Sequence, residues 1–144
     1  MTQDAITRYQ AFLDHMGEAL IACDADSFLR HVFLPHVIVT ETATIHIGDT
    51  DKALRHFKGF SGALRSQGAD AYTRIASHAW FDGDNILKGR HETFITSRGK
   101  LLVPKFGNEI TLERRDGIWG SVRTVHQAHY VSWPDLLPRG GASS

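Results

Sequence analysis

One cysteine, Cys23, is the chain's whole thiol content, which excludes an internal disulfide and fits a reducing compartment. With no cation beside it in the sequence, Cys23 reads as a small buried hydrophobe rather than a reactive thiol. Neither sign of charge is in excess: 16 Lys and Arg balance 16 Asp and Glu. No electrostatic attraction to nucleic acid or to an anionic membrane surface is therefore expected. No apolar run approaches the roughly 20 residues that span a bilayer. The opening MTQDAITRYQ also lacks the basic-then-apolar layout of a secretion signal. A cytoplasmic location is the expectation. At 144 residues the chain is expected to form one domain over 1–131, burying roughly 68–70% of the surface its unfolded form exposes. The stretch 132–144, which holds Pro134, Pro138 and Gly140-Gly141, is expected to be a loose tail.

What is present falls into two halves. Ile6, Tyr9, Leu13, Met16, Leu20 and Cys23 recur at spacings of three and four, an apolar stripe along one helix. Asp24 is placed to cap a short second helix through Phe28 and Val32, which Pro35 prevents from continuing. Two short β-rich runs, His36–Glu41 and Ala43–Ile47, close at Gly48-Asp49. Asp49 or Thr50 then caps a third helix bearing Ala53, Leu54, Phe57, Phe60 and Leu64 and ending near Gly68.

From Ala71 onward the pattern is strand. Asp82-Gly83-Asp84, Arg98-Gly99 and Asp116-Gly117 are turn signals between the runs. Pro104 and Gly107 interrupt one run and mark a bulge or bend. Because strand side chains alternate between faces, parity separates an apolar face from a charged one. Leu87, Gly89, His91, Thr93 and Ile95 form one inner set; Phe106, Asn108, Ile110 and Leu112 form a second. The third is read as Ile118, Gly120, Val122, Thr124, His126 and Ala128. The opposite face keeps Ile86, Phe94, Trp119, Val125 and Val131, an apolar surface most simply covered by a second copy. Helices followed by a meander give an α+β fold: a curved antiparallel sheet wrapped around N-terminal helices, enclosing a cavity.

In this order, the segments DADSFLRHVFLP (24–35), DTDKALRHFKGF (49–60) and RRDGIWGSVR (114–123) resemble the nuclear transport factor 2-like superfamily. This is a cone-shaped, cystatin-like fold that includes SnoaL-like cyclases, ketosteroid isomerase and scytalone dehydratase. The resemblance spans roughly Ile6 to Val131. It implies a pocket fold without fixing an activity. The ketosteroid isomerase acids and phenol fall at Thr40, Asn108 and Met16 here, which puts that mechanism in doubt. NEITLERRDGIW (108–119) is similar to scytalone dehydratase, with Asn108 at its pocket asparagine. The paired catalytic histidines of that enzyme do not fall on His91 and His126, and its Asp position reads near Ile21.

His91 and His126 carry two readings each: core imidazoles satisfied by backbone, or an acid–base pair in the cavity. Their expected convergence with Asn108 favours the second, with Asn108 orienting a substrate oxygen. Met16, Leu20, Thr40, Thr93, Ile95, Phe106, Ile110, Val122 and Thr124 are the expected binding wall. Glu41 has suitable chemistry but the opposite parity. His126 and His129 lie three apart on a strand and so face opposite sides, which excludes their chelating one ion; no metal or cofactor is expected. The expected function is proton transfer on a small apolar carbonyl or hydroxyl compound: isomerisation, dehydration or cyclisation. A non-catalytic ligand-binding or assembly module of the same fold is the alternative. A homodimer through the outer face of the sheet is expected, with no nucleic acid or membrane partner.

Overall fold

The computed structural model describes residues 2–127, apart from the side chains of Thr2, Gln3 and Gln127. The expected tail, and with it Ala128, His129 and Val131, lies outside the described residues. Helix α1 (Thr2–Ile21) opens the chain and a five-residue α2 (Ala25–Leu29) follows; strands β1 (Val32–Val39) and β2 (Thr44–Ile47) come next. After α3 (Thr50–Ser66) the chain is all strand: β3 (Ala71–Phe81), β4 (Ile86–Ser97), the short β5 (Lys100–Leu101), β6 (Phe106–Arg115) and β7 (Ile118–Gln127). The sheet is curved and unclosed, in the order β2-β1-β7-β6-β4-β3, with β5 beside β4. The α+β cone expected from the sequence is the fold the chain adopts. One pairing departs from the expected antiparallel meander: β1 runs parallel to β7.

Local chemistry explains where the elements begin and turn. The Asp24 carboxylate accepts from the Ser27 amide and the Asp49 carboxylate from the Lys52 amide, each satisfying a donor that a helix start leaves open. Arg98-Gly99 and Asp116-Gly117 both hold positive φ at each residue, the backbone that matches the twist of a tight hairpin. The second helix stops at Leu29, not Val32, and Val32 already belongs to β1. Pro35, after a cis Leu34–Pro35 bond, sits inside β1 where the β1–β7 register shifts between Val32 and Val37. A strand proline is tolerated at such an irregularity because no ladder donor is required of it.

On the face toward the helices, β4 buries Leu87, Gly89, His91, Thr93 and Ile95, and β6 buries Phe106, Asn108, Ile110 and Leu112. Both sets match the parity reading. Strand β7 does not, because it carries one residue too many: Leu112 pairs with Ser121 while Thr111 pairs with Arg123, leaving Val122 as a bulge. Beyond that point the faces exchange. Ser121 is buried and Trp119 packs on the core, while Ile118 is exposed and Gly120 lies against the Phe33 ring. Ile118, Gly120 and Val122 are thus corrected to the other side, and Trp119 leaves the outer face.

Helix α1 is tied to the edge strand β3 by side chains as well as by packing. The Gln10 carboxamide donates to the Arg74 carbonyl and accepts from the Ala76 amide, standing in for a missing neighbouring strand. Cys23 is also corrected: α3 brings Arg65 to it, and that guanidinium donates to Sγ at 2.7 Å beside the Ser61 hydroxyl at 2.9 Å. The cation that the flanking sequence lacks arrives through tertiary packing.

Candidate functional site

Three apolar clusters fill the cone without merging. One joins Leu20, Phe57, Phe60 and Tyr72 to Ile95 and Phe106. A second joins Tyr9, Phe12, Leu13 and Met16 to Leu87, Ile110 and Leu112. A third is Ile38, Ile47 and Ala53. Where the three meet, a cavity of about 90 Å3 remains, walled by α1, α2 and α3 on one side and by β1, β3, β6 and β7 on the other. An engineered apolar cavity of about 150 Å3 accepts benzene, so this hollow fits a short ligand or part of a larger one.

Its polar groups come mainly from β7 and β1. His36 Nε2 lies 3.0 Å from Ser121 Oγ and 3.4 Å from Thr124 Oγ1, and the two hydroxyls are 3.3 Å apart. His36 Nδ1 is buried with no hydrogen-bond partner. Burial, assisted by His56, pushes the His36 pKa down to about 4. Across the same wall, a buried chain of hydrogen bonds runs behind the surface. Thr93 donates to Asn108 Oδ1, and Asn108 Nδ2 donates to His126 Nδ1 at 2.6 Å. Because Nδ1 accepts, the neutral ring of His126 carries its proton on Nε2. Burial first, then Arg74 and His36, hold the His126 pKa at about 4. At neutral pH the site therefore offers uncharged imidazoles, which polarise and orient a ligand better than they deprotonate it. His56 is also shifted down, by burial and then by Lys52 and Arg55. Arg74 from β3 completes the wall, its Nη2 donating to the Leu13 carbonyl at 3.1 Å.

No protein-family model matches the sequence, and none of the curated proteins does either. Solved structures do match. An NTF-2-like protein of unknown function from Shewanella oneidensis superposes with a TM-score of 0.68, at 11% identity, over 88% of this chain and 98% of its own. An NTF2-like protein with a cystatin-like fold from Novosphingobium aromaticivorans gives 0.66, at 17% identity, over 87% and 82%. This chain has the NTF2-like fold. A de novo designed protein with a curved β-sheet also superposes, with a TM-score of 0.53 and 14% identity over 77% of this chain and 90% of its own. These likenesses show the fold and leave the contents of the cone open.

Within that cone the expected site residues separate. His126, Ile110, Thr124, Met16 and Leu20 line the cavity. His91 does not. It lies under α1, where the Tyr9 hydroxyl meets its Nδ1 at 2.7 Å, and burial with Arg74 and His126 holds its pKa near 2. The phenol and the imidazole are thus paired with each other inside the core. Asn108 and Thr93 sit behind the wall as the relay that orients His126. Ile95 and Phe106 belong to the first apolar cluster. Thr40 closes the β1–β2 turn, its hydroxyl accepting from the Ala43 amide at 3.0 Å, and Glu41 is exposed. Val122 is the bulged residue and faces away.

Most of the cavity's lining escaped the sequence reading, including the polar residues His36, His56, Arg74 and Ser121. Arg74 had a signal, since it shares parity with buried Tyr72. Ser121 had none, because nothing in Gly-Ser-Val marks a bulge. Among the described residues, no three of His, Cys, Asp or Glu gather as metal ligands, and no helix is long and apolar enough to cross a membrane.

Proposed function

We propose that the protein binds a small, mostly apolar molecule bearing one polar group, with its body between the helices and its polar group toward His126, His36 and Ser121. The observation that carries this reading is the hollow at the junction of three clusters, with its hydrogen-bonding groups gathered on the β7 and β1 side. The test is a thermal-shift and NMR titration with short ketones, alcohols and amides, since a native-state ligand raises the melting temperature by mass action. Perturbed resonances at Met16, Ala53 and Thr124 are expected. Binding that leaves these unmoved while shifting outer-face residues would remove the proposal.

The second reading is an enzyme of the isomerase, dehydratase or cyclase kind. It is supported by the His36–Ser121–Thr124 contact and by His126 held as a donor through Asn108. Such a site would polarise a carbonyl with the neutral His126 imidazole, the α-proton passing to the neutral His36 ring beside Ser121. Solvent deuterium exchange α to the carbonyl of a bound ketone reports that step, and its loss in His126→Gln is expected at about 100-fold or more. Exchange no faster than in buffer leaves the carrier reading alone. A cytoplasmic homodimer remains part of the proposal. Ile75, Trp80 and Ile118 are 51%, 43% and 41% exposed on the face away from the helices, next to half-buried Ile86, Phe94 and Val125. Light scattering at micromolar concentration tests it, and a monomer removes it.

A further inference from the structure

The cavity holds a cation without a counter-ion. Among the described residues its lining contains no Asp or Glu, yet Arg74 contributes to the wall. The Arg74 guanidinium lies over the Tyr72 ring at 5.1 Å and gives one hydrogen bond to the Leu13 carbonyl. Its Nε is buried with no partner, and among the described residues no carboxylate lies within ion-pair distance of it. Its charge reaches across the core: Arg74 acts electrostatically on Tyr9, Tyr72, His91 and His126. On the other side of the hollow, His36 Nδ1 is a second buried atom without a partner. Buried guanidinium donors are costly to leave unmatched, and bidentate carboxylate is the acceptor they fit best. No anionic side chain supplies it.

We infer that the molecule this cavity takes is a short carboxylic acid bound as its anion, the carboxylate on Arg74 and the hydrocarbon among Phe12, Met16, Phe28 and Phe57. The inference rests on the reading that a small, mostly apolar molecule occupies this hollow; it sharpens the ligand class and assigns the charged head group to Arg74, whose charge also reaches His126. Charge and wall chemistry agree. The aromatic and aliphatic walls offer such an acid's tail no hydrogen bonds, and a cavity of about 90 Å3 takes a short tail. An amine has no acceptor of negative charge there and meets Arg74 as a like charge.

Isothermal titration of the full chain with isovalerate, isovaleramide and 3-methylbutanol tests this. These three probes share a hydrocarbon body and differ in the head group. Isovalerate is expected to bind at least tenfold tighter than either neutral probe. Arg74→Met is expected to erase that preference, bringing isovalerate to the affinity of isovaleramide in the same variant. Arg74→Lys keeps the charge without the fork and should retain part of the preference, which covers the case in which the Met variant fails to fold. Equal affinities for the acid and amide, or an acid preference that survives Arg74→Met, overturns the inference and leaves the binding reading standing. Binding of no probe overturns both.

Discussion

Two buried histidines one strand apart show how burial and function separate. His91 and His126 are 2% and 6% exposed, and both are held neutral chiefly by desolvation. Around His91 the structure is closed. The Tyr9 ring lies across Gly89, its hydroxyl meets the imidazole, and Leu87 and Leu112 are fully buried in the same cluster. Around His126 the packing opens, because three clusters converge there without filling the space between them. The same residue type on the same sheet is a core fitting in one place and a wall in the other. What differs is which helix side chain reaches it. Tyr9 is long enough to seal its end of the cone, and Met16 and Leu20, on the same helix stripe, border the hollow.

The comparison is broken most severely at Gly89. A Cβ there would stand 2.4 Å from the Tyr9 ring, and the sealed end offers that ring no other place. Gly89→Ala should cost about 3 kcal/mol or more, at or beyond the upper end of ordinary overpacking, read as a lowered urea midpoint. An effect under 1 kcal/mol would show that the closed end is not tightly packed. Tyr9→Phe comes next. It keeps the ring and strips the partner from buried His91 Nδ1, a loss of about 1–3 kcal/mol. Ligand affinity at the hollow should not change. A variant that keeps full stability but loses binding would reassign Tyr9 from sealing to the site.

The parts of this comparison that a sequence reveals are those set by local alternation. Strands β4 and β6 pair without irregularity from Leu87 to Thr93, so counting by twos identifies their buried faces. That count fails on β7, where one extra residue at Val122 exchanges the faces and puts Ser121 in place of its neighbour. Nor does alternation reveal distance. His91 and Asn108 are cross-strand partners, yet the cavity on which they were expected to converge passes His91 by, because Tyr9 from α1 covers it. His36 was invisible for a different reason: its importance depends on β1 lying parallel beside β7, a pairing that no local signal in either strand encodes.

A smaller effect distinguishes the two ends by pH. His36 and His126 have folded pKa values near 4 and His91 near 2, all below the roughly 6.5 of an unfolded histidine. The unfolded chain therefore binds more protons in that window. The stability these neutral rings contribute is full above about pH 6.5 and is lost as pH falls, by up to about 1.4 kcal/mol per unit for each. The loss from His36 and His126 levels off near pH 4 and that from His91 continues toward 2. His126→Gln should flatten the urea midpoint's fall between about pH 6 and pH 5 by up to one proton's worth, relative to wild type. An unchanged slope would mean that water reaches His126 freely and that its wall is wetter than its burial implies.

The least effect on stability is expected at the hollow itself, and it sharpens the comparison most. Ala53 is buried on α3 and borders the cavity beside Ile38 and Ile47. In a sealed core, added methylenes force neighbours off their rotamers at about 1–3 kcal/mol. At Ala53 the added carbons of Ala53→Leu have empty space to enter, and the apolar area they bury offsets the slight loss of helix propensity. The stability change should lie within about 0.5 kcal/mol of zero while small-molecule binding disappears, because the side chain takes the ligand's place. The same kind of enlargement at Gly89 should be ruinous. If Ala53→Leu destabilised the fold as Gly89→Ala does, the junction of the three clusters would be packed as tightly as the sealed end, and no room would remain there for a ligand.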